Sequence, residues 1–423
     1  MKKRWLLLLL TGAMVCTAGC AQEKETAEVV VTQEEVKLPV VFRVDPATNV
    51  SDNEEFQAEF NEAFEGSYEL EVEWLSETAA GYRNKLKQWN VLDEMPILIT
   101  DAGFDNDFYE VLVKDHRLVN LRPYMDESEF WFDVMNEDIL KQCMEDDGSV
   151  YLSPLATSAD TYAGIIYNKQ MLKEAGYEVF PDNWPDFFEC LKALQNLGYT
   201  PLALHGAGSY WVPMLFATAY LENTPEGEHF LQEEYPESFQ VPEVEEMFLM
   251  LKELYEYSFS DALALDYDQA AERFFNGEAA IVANGKWMFS AMSEENKENF
   301  SFTAFPGNVL MNAPKMGAWA VTAGYEEEET KAAVKVLEFR IQREQENLRK
   351  ARNGEYESSL EESYFETVWN VEKIMPNFQM QWEQEIQNEF FTEYLPEVIE
   401  GRMEAEEFLK QLDQKIKEIV SRK

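Results

Sequence analysis

The chain has 423 residues, with 81 acidic against 35 basic side chains, a formal charge of −46 and a pI of about 4.3. A field of that sign repels nucleic acid, which needs clustered Lys and Arg to displace counterions, and it argues against polyanionic ligands. The four cysteines and three histidines form no C-x-x-C, no metal-ligand spacing and no triad, so neither a metal nor another cofactor is expected.

In chain order, Lys2, Lys3 and Arg4 precede an apolar run from Trp5 to Val15 that ends in Thr17-Ala18-Gly19-Cys20. A basic start, a short greasy stretch and small residues before a cut site describe a secretory signal over residues 1–19. The run is too short to cross about 30 Å of hydrocarbon as a mature helix. The small residues before Cys20 look like a bacterial lipobox, which implies lipid on the Cys20 sulfur. Two or more acyl chains there would hold the protein to the outer face of the cell membrane. An ordinary cleaved signal is the alternative. Residues 20–36 then read as a polar, acidic, flexible leash.

Residues 38–44 (LPVVFRV) read as a first strand. Phe56, Phe60 and Phe64 recur at helical spacing. Tyr68, Leu70, Val72 and Trp74 alternate with Glu69, Glu71 and Glu73, which is strand periodicity. A further helical stretch leads to a buried strand at 96–100 (PILIT). This β-α-β-α-β order predicts a mostly parallel sheet covered by helices, with ligands beyond the carboxyl ends of its strands. Further on, Asn183 and Asp186 mark a helix start, and Gly198 its end. Residues 270–276 read as helix and 279–283 (AAIVA) as strand. Gly285 then turns the chain and Trp287 opens the next helix. From about Tyr325 the pattern is helical almost throughout. Cys190 falls on an apolar helix face, and a Cys143–Cys190 disulfide is left open.

Residues 162–204 (YAGIIYNKQMLKEAGYEVFPDNWPDFFECLKALQNLGYTPLAL) resemble the solute-binding proteins of bacterial carbohydrate ABC transporters, the extracellular family 1 type that includes maltose-binding protein. The YNK-x-x-L-x-x-AG core, the W-x-x-F helix start and the G-x-x-P-L turn stand in the family's order. Residues 118–121 (LVNL), 275–287 (FNGEAAIVANGKW), 305–307 (FPG), 317–321 (GAWAV) and 374–377 (IMPN) match as well. The resemblance covers the mature chain and implies an α/β fold of two lobes, each a mostly parallel sheet flanked by helices, joined by crossing hinge strands. One lobe is expected over 37–157 and 304–354, the other over 158–303 and 355–423. It also implies a monomer that captures a sugar or oligosaccharide between the lobes and hands it to ABC permease subunits, without turnover.

A sugar offers a C–H face to aromatic plates and a rim of hydroxyls to in-plane donors and acceptors. By resemblance the aromatic candidates are Trp211, Trp287, Trp319 and Trp382, each with core packing as the alternative. The polar candidates are Arg43 and Asp45 at the end of the first strand, Asp101 after PILIT, and Asp160 with Tyr162 where the chain first changes lobes. Arg43 equally suits a surface ion pair, whereas Tyr167, Asn168 and Lys169 read as structural. A cationic solute such as a polyamine remains the alternative ligand class. The same lobes could instead feed a sensor kinase. A secreted glycosidase is the remote reading, since no carboxylate pair has a motif that fixes its separation.

Overall fold

The computed structural model describes residues 35–44, 51–100, 106–157, 159, 161–233, 236–312, 315, 317–382 and 385–422. The expected leader, Cys20, most of the leash, Asp45, Asp101 and Asp160 lie outside these residues.

Strand β1 (Val36–Val44) buries Leu38, Val40, Phe42 and Val44 on one face, as its alternation requires. It pairs in parallel with β2 (Tyr68–Ser76), from Val36 opposite Tyr68 to Val44 opposite Ser76. A parallel pair needs a crossover, and helix Ser51–Ala63 supplies it, burying Phe56 and Phe60. Glu69, Glu71 and Glu73 occupy the other face of β2, and Lys37 reaches Glu69 and Glu71 at 2.8 and 2.7 Å. Strand β3 (Leu98–Ile99), the short core of PILIT, is fully buried.

The second sheet holds β4 (Ala163–Asn168), β5 (Thr200–Leu202), β6 (Ala279–Gly285), β7 (Phe300–Thr303) and β8 (Val309–Asn312). Two strands follow in the chain. β9 (Ala320–Val321) pairs antiparallel with β3, and β10 (Lys373–Pro376) joins the second sheet. Its order is β10-β8-β4-β6-β5, with β7 also on β4. The pairs β5/β6 and β10/β8 are parallel, but β4 runs antiparallel to β6, β7 and β8. The sheet is therefore mixed rather than mostly parallel. Strand β8, within the 304–354 segment expected in the first lobe, pairs in this second sheet.

Local signals act as their chemistry dictates. Asn168 accepts from the Gln170 and Met171 amides, closing the turn of the YNK run. Asn183 caps helix Trp184–Asn196 through the Asp186 amide at 3.0 Å.

Side chains from 38–156 and 318–341 form two neighbouring apolar clusters, and those from 159–311 and 348–419 form a larger one. The 26-residue helix Glu327–Arg352 contributes to both sides, with Ala332 to Ile341 in the first core and Leu348 and Ala351 in the second. Cys143 and Cys190 lie in different cores as free, buried thiols, each pushed up to about 12 chiefly by burial. They are not bonded to each other. Among the described residues no helix is long and apolar enough to cross a membrane, and no cluster is placed to hold a metal ion.

Candidate functional site

Strands β5 and β6 run in the same direction, so the loops after both emerge at one end of the sheet. After β5 the chain passes through His205, Gly206 and Ala207, whose last two amides both donate to the Leu265 carbonyl. That contact draws the loop against the start of helix Tyr267–Phe275. A reciprocal capping box, Asp266 with Gln269, sets this helix so that Tyr267 is its first residue. After β6, Gly285 leads into the turn that carries Trp287. A Cβ at Gly285 would lie 2.1 Å from the Trp287 ring, so glycine lets the indole fold back over the backbone. Helix Trp211–Leu221 starts nearby, and Asn377 of the IMPN run donates to the Trp211 carbonyl at 3.3 Å.

These loops assemble an aromatic cluster. The Trp211 and Trp287 ring centroids are 5.7 Å apart at 66°, and Tyr267 stands edge-on to Trp211 at 6.2 Å. The Tyr267 hydroxyl donates to Asn284 Oδ1 at 2.9 Å and accepts from Trp287 Nε1 at 3.0 Å. This single group braces the exposed indole against the buried strand end. Trp287 keeps 37 % of its surface exposed, while Trp211 and Tyr267 are half-buried.

Beneath the plates lies His205, 1 % exposed and 5.8 Å from the Tyr267 ring. Burial holds its imidazole near 4, against the pull of Asp266 and the Ser209 backbone, so it is neutral at neutral pH. Neither ring nitrogen makes a hydrogen bond of good geometry among the described residues; the same holds for Asn284 Nδ2 and Trp211 Nε1. Buried polar atoms are nearly always satisfied, so a cluster of orphans at a strand end is a place where polar groups of water or ligand are wanted. A polar cavity of about 380 Å³ among Glu385, Glu393, Tyr394 and Lys415 lies elsewhere, on the C-terminal helices, and holds none of these aromatic plates.

Of the sequence candidates, Trp211 and Trp287 are brought together. The others are not. Arg43, at the end of β1, donates to the Glu77 carbonyl at 3.3 Å. Trp319 is 8 % exposed, packed on Phe42 and Phe56, with the Arg340 guanidinium 4.6 Å from its ring. Tyr162 is buried and donates to the Thr157 carbonyl at 2.9 Å. Trp382, expected to reach the cleft, is 1 % exposed and enclosed by Phe239, Phe378 and Phe391. Those rings leave no face for a ligand. Sequence reasoning missed Tyr267, His205 and Asn284. The D-x-x-Q spacing at 266–269 was the available signal, since it fixes the helix start three residues before Ala270.

The model for bacterial extracellular solute-binding proteins matches residues 55–351, and the chain belongs to that family. Its fold is that of the two-lobed solute-binding proteins. A chitin oligosaccharide binding protein superposes with a TM-score of 0.71 at 19% identity, covering 91% of this chain and 98% of its own. A Streptococcus pneumoniae solute-binding protein, solved with the blood group A-trisaccharide, gives 0.67 at 16% identity, covering 90% of this chain and 100% of its own. The sugar-binding protein MalE of Xanthomonas citri gives 0.64 at 15% identity, covering 92% and 98%. No curated protein sequence matches the chain.

Proposed function

We propose that this protein is the substrate-binding lipoprotein of an ABC importer, capturing a sugar or oligosaccharide between its lobes and passing it unchanged to a membrane permease. The observation that carries the reading is the braced cluster of Trp211, Trp287 and Tyr267 at the carboxyl ends of parallel strands. Indole plates match the apolar face of a pyranose, and neutral His205 and Asn284 are suited to uncharged hydroxyls. The saccharides bound by the superposing proteins named above support the same ligand class. Arg43, together with Asp45, Asp101 and Asp160, is proposed to supply polar contacts from the facing lobe and the crossing. Cys20 is proposed to carry the lipid anchor.

The test is calorimetry of the purified chain against neutral oligosaccharides of different linkage, repeated with Trp211→Ala and Trp287→Ala. Affinity near 1 μM corresponds to about −8 kcal/mol, and loss of either plate should weaken it by at least tenfold. The sugar must be recovered unhydrolysed. Binding of a polyamine but of no saccharide would overturn the ligand class, and release of shorter sugars would overturn the assignment as a receptor.

A further inference from the structure

The long helix Glu327–Arg352 is continuous through both cores. Where it passes between them, two charged side chains one turn apart meet the segments by which the chain changes sides. Glu344, 3 % exposed, accepts from the Ala156 amide at 2.7 Å, the Thr157 amide at 3.1 Å and the Thr157 hydroxyl at 2.7 Å. Ala156 is the last side chain of the first core on this segment, and Ala159 the first of the second. Arg340 donates to the Ser153 carbonyl at 3.3 Å and to the Gly317 carbonyl at 2.7 Å, which ties down the return crossing as well. Beyond Thr157 the anchors change owner. The Tyr364 hydroxyl accepts from the Tyr162 amide and donates to the Ala159 carbonyl at 2.8 Å, so the chain there is held from the second core.

We propose that Glu344 is the positioning residue of the hinge: by fixing Ala156 and Thr157 to a helix shared by both lobes, it sets their resting angle and the ratio of open to closed molecules. A buried carboxylate that accepts three hydrogen bonds grips about twice as strongly as neutral partners do. On this crossing the chain is thus held from the shared helix at Ala156 and Thr157 and from the second core at Ala159 and Tyr162. A ligand shifts such an equilibrium only through its different affinity for the two states. A residue that weights the states therefore rescales affinity without touching the ligand. The proposal rests on the two-lobed, closing reading of the fold and is indifferent to whether the ligand is a saccharide.

Asp413 supplies the matched control. It is 6 % exposed and accepts from the Ser238 hydroxyl, the Phe239 amide and the Gln240 side chain, all within the second lobe. Dyes on Val91→Cys and Val179→Cys, exposed at 85 % and 78 % on the two sides, report the interlobe distance by single-molecule energy transfer. The full chain carries Cys16→Ser and Cys20→Ser for this purpose, and no ligand is added. Glu344→Gln should change the open-to-closed ratio by roughly three- to tenfold. Thr157→Val, which removes one donor to the carboxylate, should shift it in the same direction by less. Asp413→Asn should lower the melting temperature comparably and leave the distance distribution where it was. Superposable distributions for Glu344→Gln and wild type, or an equal shift in Asp413→Asn, overturn the proposal. If Glu344→Gln does not fold, Thr157→Val decides by the same criterion. Failure of every saccharide to bind sinks the proposed ligand class and leaves this measurement unaffected.

Discussion

Replacing Tyr267 by phenylalanine removes one oxygen and keeps the ring, so it isolates the brace from the plate. The hydroxyl joins Asn284 Oδ1 at 2.9 Å to Trp287 Nε1 at 3.0 Å. Asn284 is 1 % exposed, and among the described residues its Oδ1 then keeps only the Gly285 amide. Loss of that bond should destabilise the fold by about 1–2 kcal/mol in urea denaturation. The Trp287 N–H faces a different outcome: its ring is 37 % exposed, so water replaces the phenol and folding hardly registers the change. Binding registers it instead. A freed indole must be immobilised when the ligand arrives, at about 0.5–1.5 kcal/mol, which is a two- to twelvefold weaker Kd. Calorimetry with the tightest saccharide of the panel reads this directly, with intrinsic tryptophan fluorescence as a check on ring mobility. Unchanged affinity and unchanged fluorescence anisotropy in Tyr267→Phe would refute the claim that the hydroxyl pre-positions the plate.

The remaining predictions concern the same face and the two cores. His205, near 4 when folded and about 6.5 when unfolded, takes up its proton in the unfolded chain first; it therefore lowers stability progressively as pH falls from 6.5 to 4, by about 3 kcal/mol in all. His205→Asn should flatten that part of the difference between denaturation curves measured across this range, and an unchanged slope would contradict the assignment. Gly285→Ala places a methyl 2.1 Å from the Trp287 ring and should displace the indole, shifting its emission and weakening saccharide binding by tenfold or more, at about 1–3 kcal/mol of strain. Cys143 and Cys190 should resist a thiol reagent at pH 8 in the native protein and react fully in denaturant, because burial holds both near 12. Rapid native labelling of either would show that its core opens.

Period and capping made parts of both lobes legible: the apolar run at 38–44, the alternation in 68–74, the helical spacing of Phe56 and Phe60, and the side-chain cap at Asn183 all became the elements they announce. Strand direction was not legible. A run such as VLMN at β8 states that it is buried on both faces but not which sheet receives it, and its pairing with β4 and β10 is settled by tertiary packing. Of the candidate site, a part was legible. Trp211 and Trp287 lie after strand ends, where topology and family resemblance both point, whereas Trp382 shows that a large aromatic in sequence reveals size and not exposure. Tyr267 stands in the polar run DYDQ and Asn284 near the end of an apolar strand; the first was marked only by the D-x-x-Q helix start, and the second by no motif that tells a ligand contact from a structural polar group.

Strand β2 keeps an outer side without a partner strand among the described residues, and along it stand Glu71 and Glu73. Such a border is where another molecule of the same kind would add its own backbone and begin a stack. Repeated carboxylates on both approaching borders oppose that encounter, and the Lys37 ammonium is already taken up by its own glutamates. Molar salt, which screens this repulsion, is the condition in which self-association along that border should first be seen.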